Sequence, residues 1–236
     1  VEMCDTLQVS QTGATGTITI TGGDFDDLTG GLYRLKEKVE YTVSVSDVAD
    51  FITPSAQTVT ATHDQSRTMS FTYIHKPVLT VNVTGGTVAG RSVVFSTAGG
   101  TSVTKTTDSA GKAEAVLEAD TEYTITVDAQ EHYITPSAQT KTMSGGDTDS
   151  ITFTYVACPI IAITLTDTKL QNAIPVSVWK GSAKVKDITM NCSTGTATNN
   201  VEVSEPGAYT IKATPASGTV ADVSVTATAG TTVTAT

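Results

Sequence analysis

The chain has 236 residues, 39% of them hydrophobic and 16% charged, with a formal net charge of −10. This acidic balance excludes the clustered Lys and Arg of a nucleic-acid binder or of a protein drawn to anionic membranes, and it keeps the chain soluble through self-repulsion. No run of 18 apolar residues is present to span a bilayer.

Helix formers are scarce, whereas Thr, Val, Ser and Gly abound. Branching at Cβ suits Thr and Val to a pleated surface, so the composition points to an all-β protein. The chain starts at Val1 without a charged-then-apolar leader pattern, and it reads as a mature product or an excised segment. Cys4, Cys158 and Cys192 are too few for a disulfide framework and read as small buried hydrophobes. A Cys158–Cys192 bridge within one module is the alternative.

In chain order, Leu7-Val9 and Ile18-Ile20 are the first strand candidates. Gly22-Gly23 and Gly30-Gly31 then bracket an acidic turn, Asp24-Phe25-Asp26-Asp27. Three landmarks follow: Tyr41-Thr42-Val43-Ser44-Val45, Ile52-Thr53-Pro54-Ser55-Ala56-Gln57-Thr58 and Phe71-Thr72-Tyr73. All three return 82 residues later, as Tyr123-Thr124-Ile125-Thr126-Val127, Ile134 to Thr140 and Phe153-Thr154-Tyr155. One register kept across three landmarks is the signature of an internal repeat. A diverged third copy opens with Glu205-Pro206-Gly207 and Tyr209-Thr210-Ile211 and lacks the Ile-Thr-Pro-Ser stretch.

Apolar residues alternate with threonine in these stretches, and in Leu79-Val81-Val83, Ile161-Ile163-Leu165, Val176-Val178 and Val223-Val225. Period two means one buried and one wet face, the pattern of an antiparallel sheet. His75-Lys76-Pro77 and Ala157-Cys158-Pro159 close the first two copies, and proline stiffens each connection. The expected architecture is three tandem immunoglobulin-like antiparallel β-sandwich modules, residues 1–75, 76–156 and 157–236, in an elongated rod. The repeat offset would place the first strand of module 1 before residue 1, so residues 1–23 must supply a substitute. Trp179, the lone Trp, is the expected core anchor of module 3.

The middle copy carries Gly90-Arg91-Ser92-Val93-Val94-Phe95, then Thr106-Thr107-Asp108-Ser109-Ala110-Gly111-Lys112, then Leu117 to Val127. In these it resembles the carboxypeptidase regulatory-like, CnaB and PEGA-type modules, whose prealbumin-like sandwich occurs in stalks, adhesins, pilins and phage tails. CnaB modules often hold a Lys–Asn isopeptide bond between terminal strands. Here Leu79 to Val83 offers no Lys and Ile151 to Tyr155 no Asn, so the resemblance implies a module without that staple.

Reactive constellations are not apparent. His63, His75 and His132 lack partners at metal-ligand spacing, and no nucleophile elbow, phosphate loop or Cys–His pair with an orienting group is seen. The acids of 24–27 and 147–149 read as solvated turn residues, with Asp24, Asp26 and Asp27 as a calcium candidate and no other cofactor. Phe51 and Tyr133, with Tyr33, are the aromatic ligand-contact candidates. The Ile-Thr-Pro-Ser-Ala-Gln-Thr stretch reads as a duplicated turn, and a binding loop doubled for avidity is the sharper alternative. The chain is therefore expected to be no enzyme but a spacer of a larger bacterial cell-surface or secreted protein. Its partners would be the other domains of the same parent chain. An adhesive or carbohydrate-binding module against a host or glycan surface, or a phage tail component, is the alternative.

Overall fold

The computed structural model describes residues 4–236, and within them the regular structure consists of strands. The first module takes in β1 (Cys4–Thr12), β2 (Ile18–Thr21), β3 (Phe25–Asp27), β4 (Leu32–Lys36), β5 (Glu40–Val45), β6 (Phe51–Ile52), β7 (Gln57–Thr60) and β8 (Ser66–Thr72), and the short β9 (Ile74–His75) leads out of it. Residues 1–3 of the expected first module lie outside the described residues.

The second module runs through β10 (Val78–Thr84), β11 (Ser92–Ser96), β12 (Ser102–Thr106), β13 (Lys112–Val116), β14 (Glu122–Val127), β15 (Tyr133–Ile134), β16 (Gln139–Thr142) and β17 (Thr148–Thr154), and β18 (Val156–Ala157) leads on. The third comprises β19 (Ile160–Thr166), β20 (Ile174–Lys180), β21 (Ala183–Met190), β22 (Thr196–Glu202), β23 (Gly207–Ala213), β24 (Val223–Ala227) and β25 (Thr232–Ala235).

Each module is two facing sheets over its own apolar core. In module 2 the sheets are β13-β10-β17 and β12-β11-β14-β16, and module 3 repeats them as β22-β19-β25 and β21-β20-β23-β24. Core side chains come from alternate positions: Leu79, Val81, Phe95, Ile125 and Phe153 in module 2; Ile161, Ile163, Val176 and Val178 in module 3; Leu7, Leu35, Tyr41, Val43 and Phe71 in module 1. Each such fully buried side chain stabilises its module by about 1.5–3 kcal/mol. The landmark tyrosines are buried with their hydroxyls satisfied. Tyr41 donates to the Asp24 carbonyl and accepts from Lys36 N, Tyr123 accepts from Glu118 N, and Tyr209 donates to the Glu205 carbonyl. A phenol tied to backbone a few residues upstream fixes the corner into the Tyr strand.

The pairing departs from the sequence reading in two places. First, the leading and last strands of every module pair in parallel: β1 with β8, β10 with β17, and β19 with β25. Side-chain alternation reports burial and carries no information on strand direction, so the period-two pattern could not reveal this. Second, module 1 sends its edge strand to the other sheet. There β3 pairs with β4 to give β3-β4-β1-β8, leaving β2-β5-β7 opposite. Leu7 and Val9 form the substitute first strand, and Gln11 opposite Phe71 matches Val83 opposite Phe153. The path from first strand to Tyr strand is thus shorter in module 1, and its edge strand forms a hairpin with its successor across residues 28–31.

Candidate functional site: the joints between modules

The connections are built where the most identical stretch of the repeat begins, at Ile52 and Ile134 and the residues just before them. Strand β9 pairs antiparallel with β6, Phe51 opposite His75 and Ile52 opposite Ile74. At the next connection β18 pairs with β15, Tyr133 opposite Ala157 and Ile134 opposite Val156. The hydrogen bonds around the two pairs correspond one for one. Lys76 N donates to Asp50 O and Cys158 N to His132 O, both at 2.8 Å; Gly146 N donates to His75 O and Gly230 N to Ala157 O, both at 2.7 Å. Leu117 N reaches Pro77 O at 2.9 Å and Val203 N reaches Pro159 O at 3.0 Å. Asp50 and His132, which turn the chain into the clasp, both adopt left-handed φ, 63° and 68°. The linker is therefore held by the module it leaves and by a glycine turn of the module it enters. Its polar backbone groups are satisfied on both sides.

Side chains differentiate the joints. The Phe51 ring lies 4.0 Å from the His75 ring and meets Tyr73 edge-on at 6.3 Å, whereas Tyr133 meets Tyr155 edge-on at 6.4 Å. Tyr73 donates its hydroxyl to Ser46 O at 2.6 Å, and Tyr155 donates to Asp128 O. Burial, with the Asp128 carboxylate second, pushes the Tyr155 phenol up, so it stays a donor at neutral pH. At the first joint Lys76 Nζ pairs with Glu118 of the module it leads into, at 2.5 Å, and at the second a hydrogen bond of 2.8 Å between His132 Nδ1 and Glu202 crosses from module 2 to module 3. Open clefts of about 580 and 500 Å³ flank the two joints.

The structure brings two of the sequence candidates into this setting. Phe51 and Tyr133 are half-buried joint residues with their rings against Tyr73 and Tyr155. Tyr33 is buried in module 1 at 8% exposure, against the expectation of an open aromatic. Its inward strand position, two residues before Leu35, explains this. The acids 24–27 are not gathered in a turn: Asp26 and Asp27 lie on β3, with Asp24 just ahead. Asp24 pairs with Lys36 at 3.0 Å, Asp26 with Arg34 at 3.6 Å, and Asp27 accepts from Thr29 N at 2.8 Å. Likewise Asp149 lies on β17, paired with Lys141. Among the described residues no group of three or more His, Cys, Asp or Glu side chains is placed to hold a metal ion.

Trp179 is the clearest correction. It lies half-buried on the outer face of β20, beside a bulge, with Nε1 donating to Ser177 Oγ at 2.8 Å and Lys212 Nζ 5.5 Å from its ring centre. Val176 and Val178 point inward, so strict alternation already places residue 179 outside.

One grouping escaped the sequence. His132, Cys158 and Glu202 line a single cleft, drawn together by the joint from two modules. Burial, and then the Glu202 carboxylate, raise the Cys158 thiol, the direction opposite to that needed for a thiolate nucleophile. Cys192 is buried in the core of module 3, its thiol directed at Leu165 O at 3.5 Å, and both thiols are free rather than bridged. Module 3 also has an aliphatic cavity of about 220 Å³ between its sheets, lined by Ile163, Leu165, Val176, Ile211 and Val223.

No family model matches the chain, and no curated protein matches it. Solved structures do. It is similar to a streptococcal ancillary pilin at 13% identity and TM-score 0.40, over 95% of this chain and 94% of the pilin. It is similar to the Bacillus anthracis TIE protein at 13% identity and TM-score 0.39, over 98% of this chain; the match spans 49% of that protein's length. It is also similar to GBS52, a minor pilin of Streptococcus agalactiae, at 12% identity and TM-score 0.39, over 68% of this chain and 94% of the pilin. The immunoglobulin-like assignment rests on the strand pairing described above.

Proposed function

We propose that the chain is a non-catalytic spacer within a larger bacterial cell-surface or secreted protein, and that its partners are the domains it separates. One observation carries this reading: in every module the first and last strands run parallel. A chain that comes in at the start of β10 and leaves at the end of β17 exits at the opposite pole, so each module adds length instead of folding back. The matched joints extend the argument. A linker clasped on both sides fixes one module on the next, and the same clasp at both connections makes the successive placements alike. In this reading the modules meet at residues 75–76 and 156–157, beside the strand pairs β6/β9 and β15/β18. In the second cleft burial holds the Cys158 thiol protonated, which suits a scaffold better than a nucleophilic catalyst.

Small-angle scattering on the 236-residue chain tests the reading. An elongated particle with a long, asymmetric pair-distance distribution is expected. A compact, near-spherical profile refutes it.

A further inference from the structure

We propose that the pairs β1/β8 and β10/β17 are mechanical clamps, so that modules 1 and 2 bear tension along the chain as well as filling distance. The proposal rests on the spacer reading and deepens it. In a parallel pair whose strands are the module's first and last, tension on the two ends slides one strand along the other. Every backbone hydrogen bond of the pair is then loaded together. If the two strands were pulled from the same pole, the bonds would open one after another. The registers are long and unbroken, from Thr6 opposite Ser66 to Thr12 opposite Thr72, and from Val78 opposite Thr148 to Thr84 opposite Thr154. Strand β9 follows β8 after a single residue, so the same tension also passes through its pairing with β6.

A second observation points to the same pairs. Their outward faces are stitched by hydroxyls lying directly opposite one another. Ser10 meets Ser70 at 2.9 Å, Thr12 donates to Thr72 at 3.1 Å, and Thr84 meets Thr154 at 2.8 Å. Thr12–Thr72 and Thr84–Thr154 occupy the same register position in the two modules, at the end where the chain leaves. The opposite end of β1/β8 is tied by Asp5 to Arg67 at 3.1 Å. Exposed hydroxyl pairs add little to equilibrium stability, because water offers the same bonds to the unfolded chain. Under shear they must rupture with the backbone bonds they accompany, and forced unfolding follows the rate of that rupture. The hydroxyls thus strengthen the path that tension takes.

Single-molecule force spectroscopy on the full chain decides the matter. With handles at the two termini, modules 1 and 2 should rupture at forces several-fold above those found when azide-bearing residues at positions 76 and 147 serve as handles. Those two positions share one pole of module 2, so that arrangement peels β10 from β17. The double variants Thr12→Val/Thr72→Val and Thr84→Val/Thr154→Val should lower the terminal-pulling force of their own module. Thermal midpoints should move little, and Thr140→Val, an exposed change on β16, should leave the force unchanged. Equal forces in the two pulling geometries overturn the clamp. Double variants no weaker than Thr140→Val overturn the role of the hydroxyls. An extended scattering profile alongside equal forces removes the clamp and leaves the spacer reading standing, whereas a compact profile removes the spacer reading itself.

Discussion

Modules 1 and 2 share their landmark residues, yet they agree only in the second half of the sandwich. From Tyr41 and Tyr123 onward the offset is a constant 82 residues and the elements match, through the clasp strands β6 and β15 to the last strands β8 and β17. Ahead of the tyrosines they diverge. Module 1 reaches its Tyr strand by a shorter path, moves its edge strand to the other sheet, and closes its leading pole with Asp5 where module 2 has Pro77 and a joint. The half that stays fixed holds the next module. An edge strand packs on one neighbour only and can change sides without disturbing the core, whereas the clasp must satisfy backbone groups of two modules at once.

The largest test of that contrast is Asp5, which belongs to module 1 alone. Its carboxylate is fully buried and accepts from Thr62 N and Gln65 N at 2.8 Å and from Arg67 Nε at 3.1 Å. Burial by itself would raise its pKa, but the two amide bonds and the Arg67 guanidinium outweigh it and hold the carboxyl below the usual range. Asp5→Ala leaves two amides and part of a guanidinium without partners and should cost about 4 kcal/mol. Calorimetry should show the module 1 transition falling while the other two hold. Because the folded-state pKa is depressed, the contribution is complete above the ordinary carboxylate range and is lost as pH falls through the folded value. Module 1 should therefore soften first on acidification, and Asp5→Asn should flatten that dependence. Equal acid sensitivity in all three modules would remove the contrast.

A medium effect checks the shared half. Gly13 and Gly85 each follow the first strand of their module, at φ 82° and 73°. A Cβ on either would overlap the carbonyl oxygen of Tyr73 or Tyr155, the residue after the last strand. Gly13→Ala and Gly85→Ala combine left-handed strain with a backbone clash and should each cost about 2 kcal/mol. Chemical denaturation should show the two penalties alike. A clear difference would mean that the two poles are not built alike.

The smallest effect concerns Trp179 and shows how far the sequence could be read. Strands, repeat and connections were legible because burial alternates with period two and the landmarks keep one register. Strand direction was not, since alternation is the same either way, and neither was the pairing of buried Asp5 with Arg67, which lies 62 residues away. The clasp was not legible: the identity of Ile52–Thr58 and Ile134–Thr140 read as a duplicated turn, and only Ile52 and Ile134 of that stretch pair with the linker. Trp179 lies outside although its size suits a core, because Val176 and Val178 face inward and assign odd positions of β20 to the outer face. Trp179→Ala should then cost only about 1 kcal/mol, the value of a half-buried ring with one cation over it. A core tryptophan would cost about 3–5 kcal/mol. The indole should also be reachable by aqueous quenchers in the native protein, and a blue-shifted, unquenched emission with a core-sized penalty would put the ring back inside.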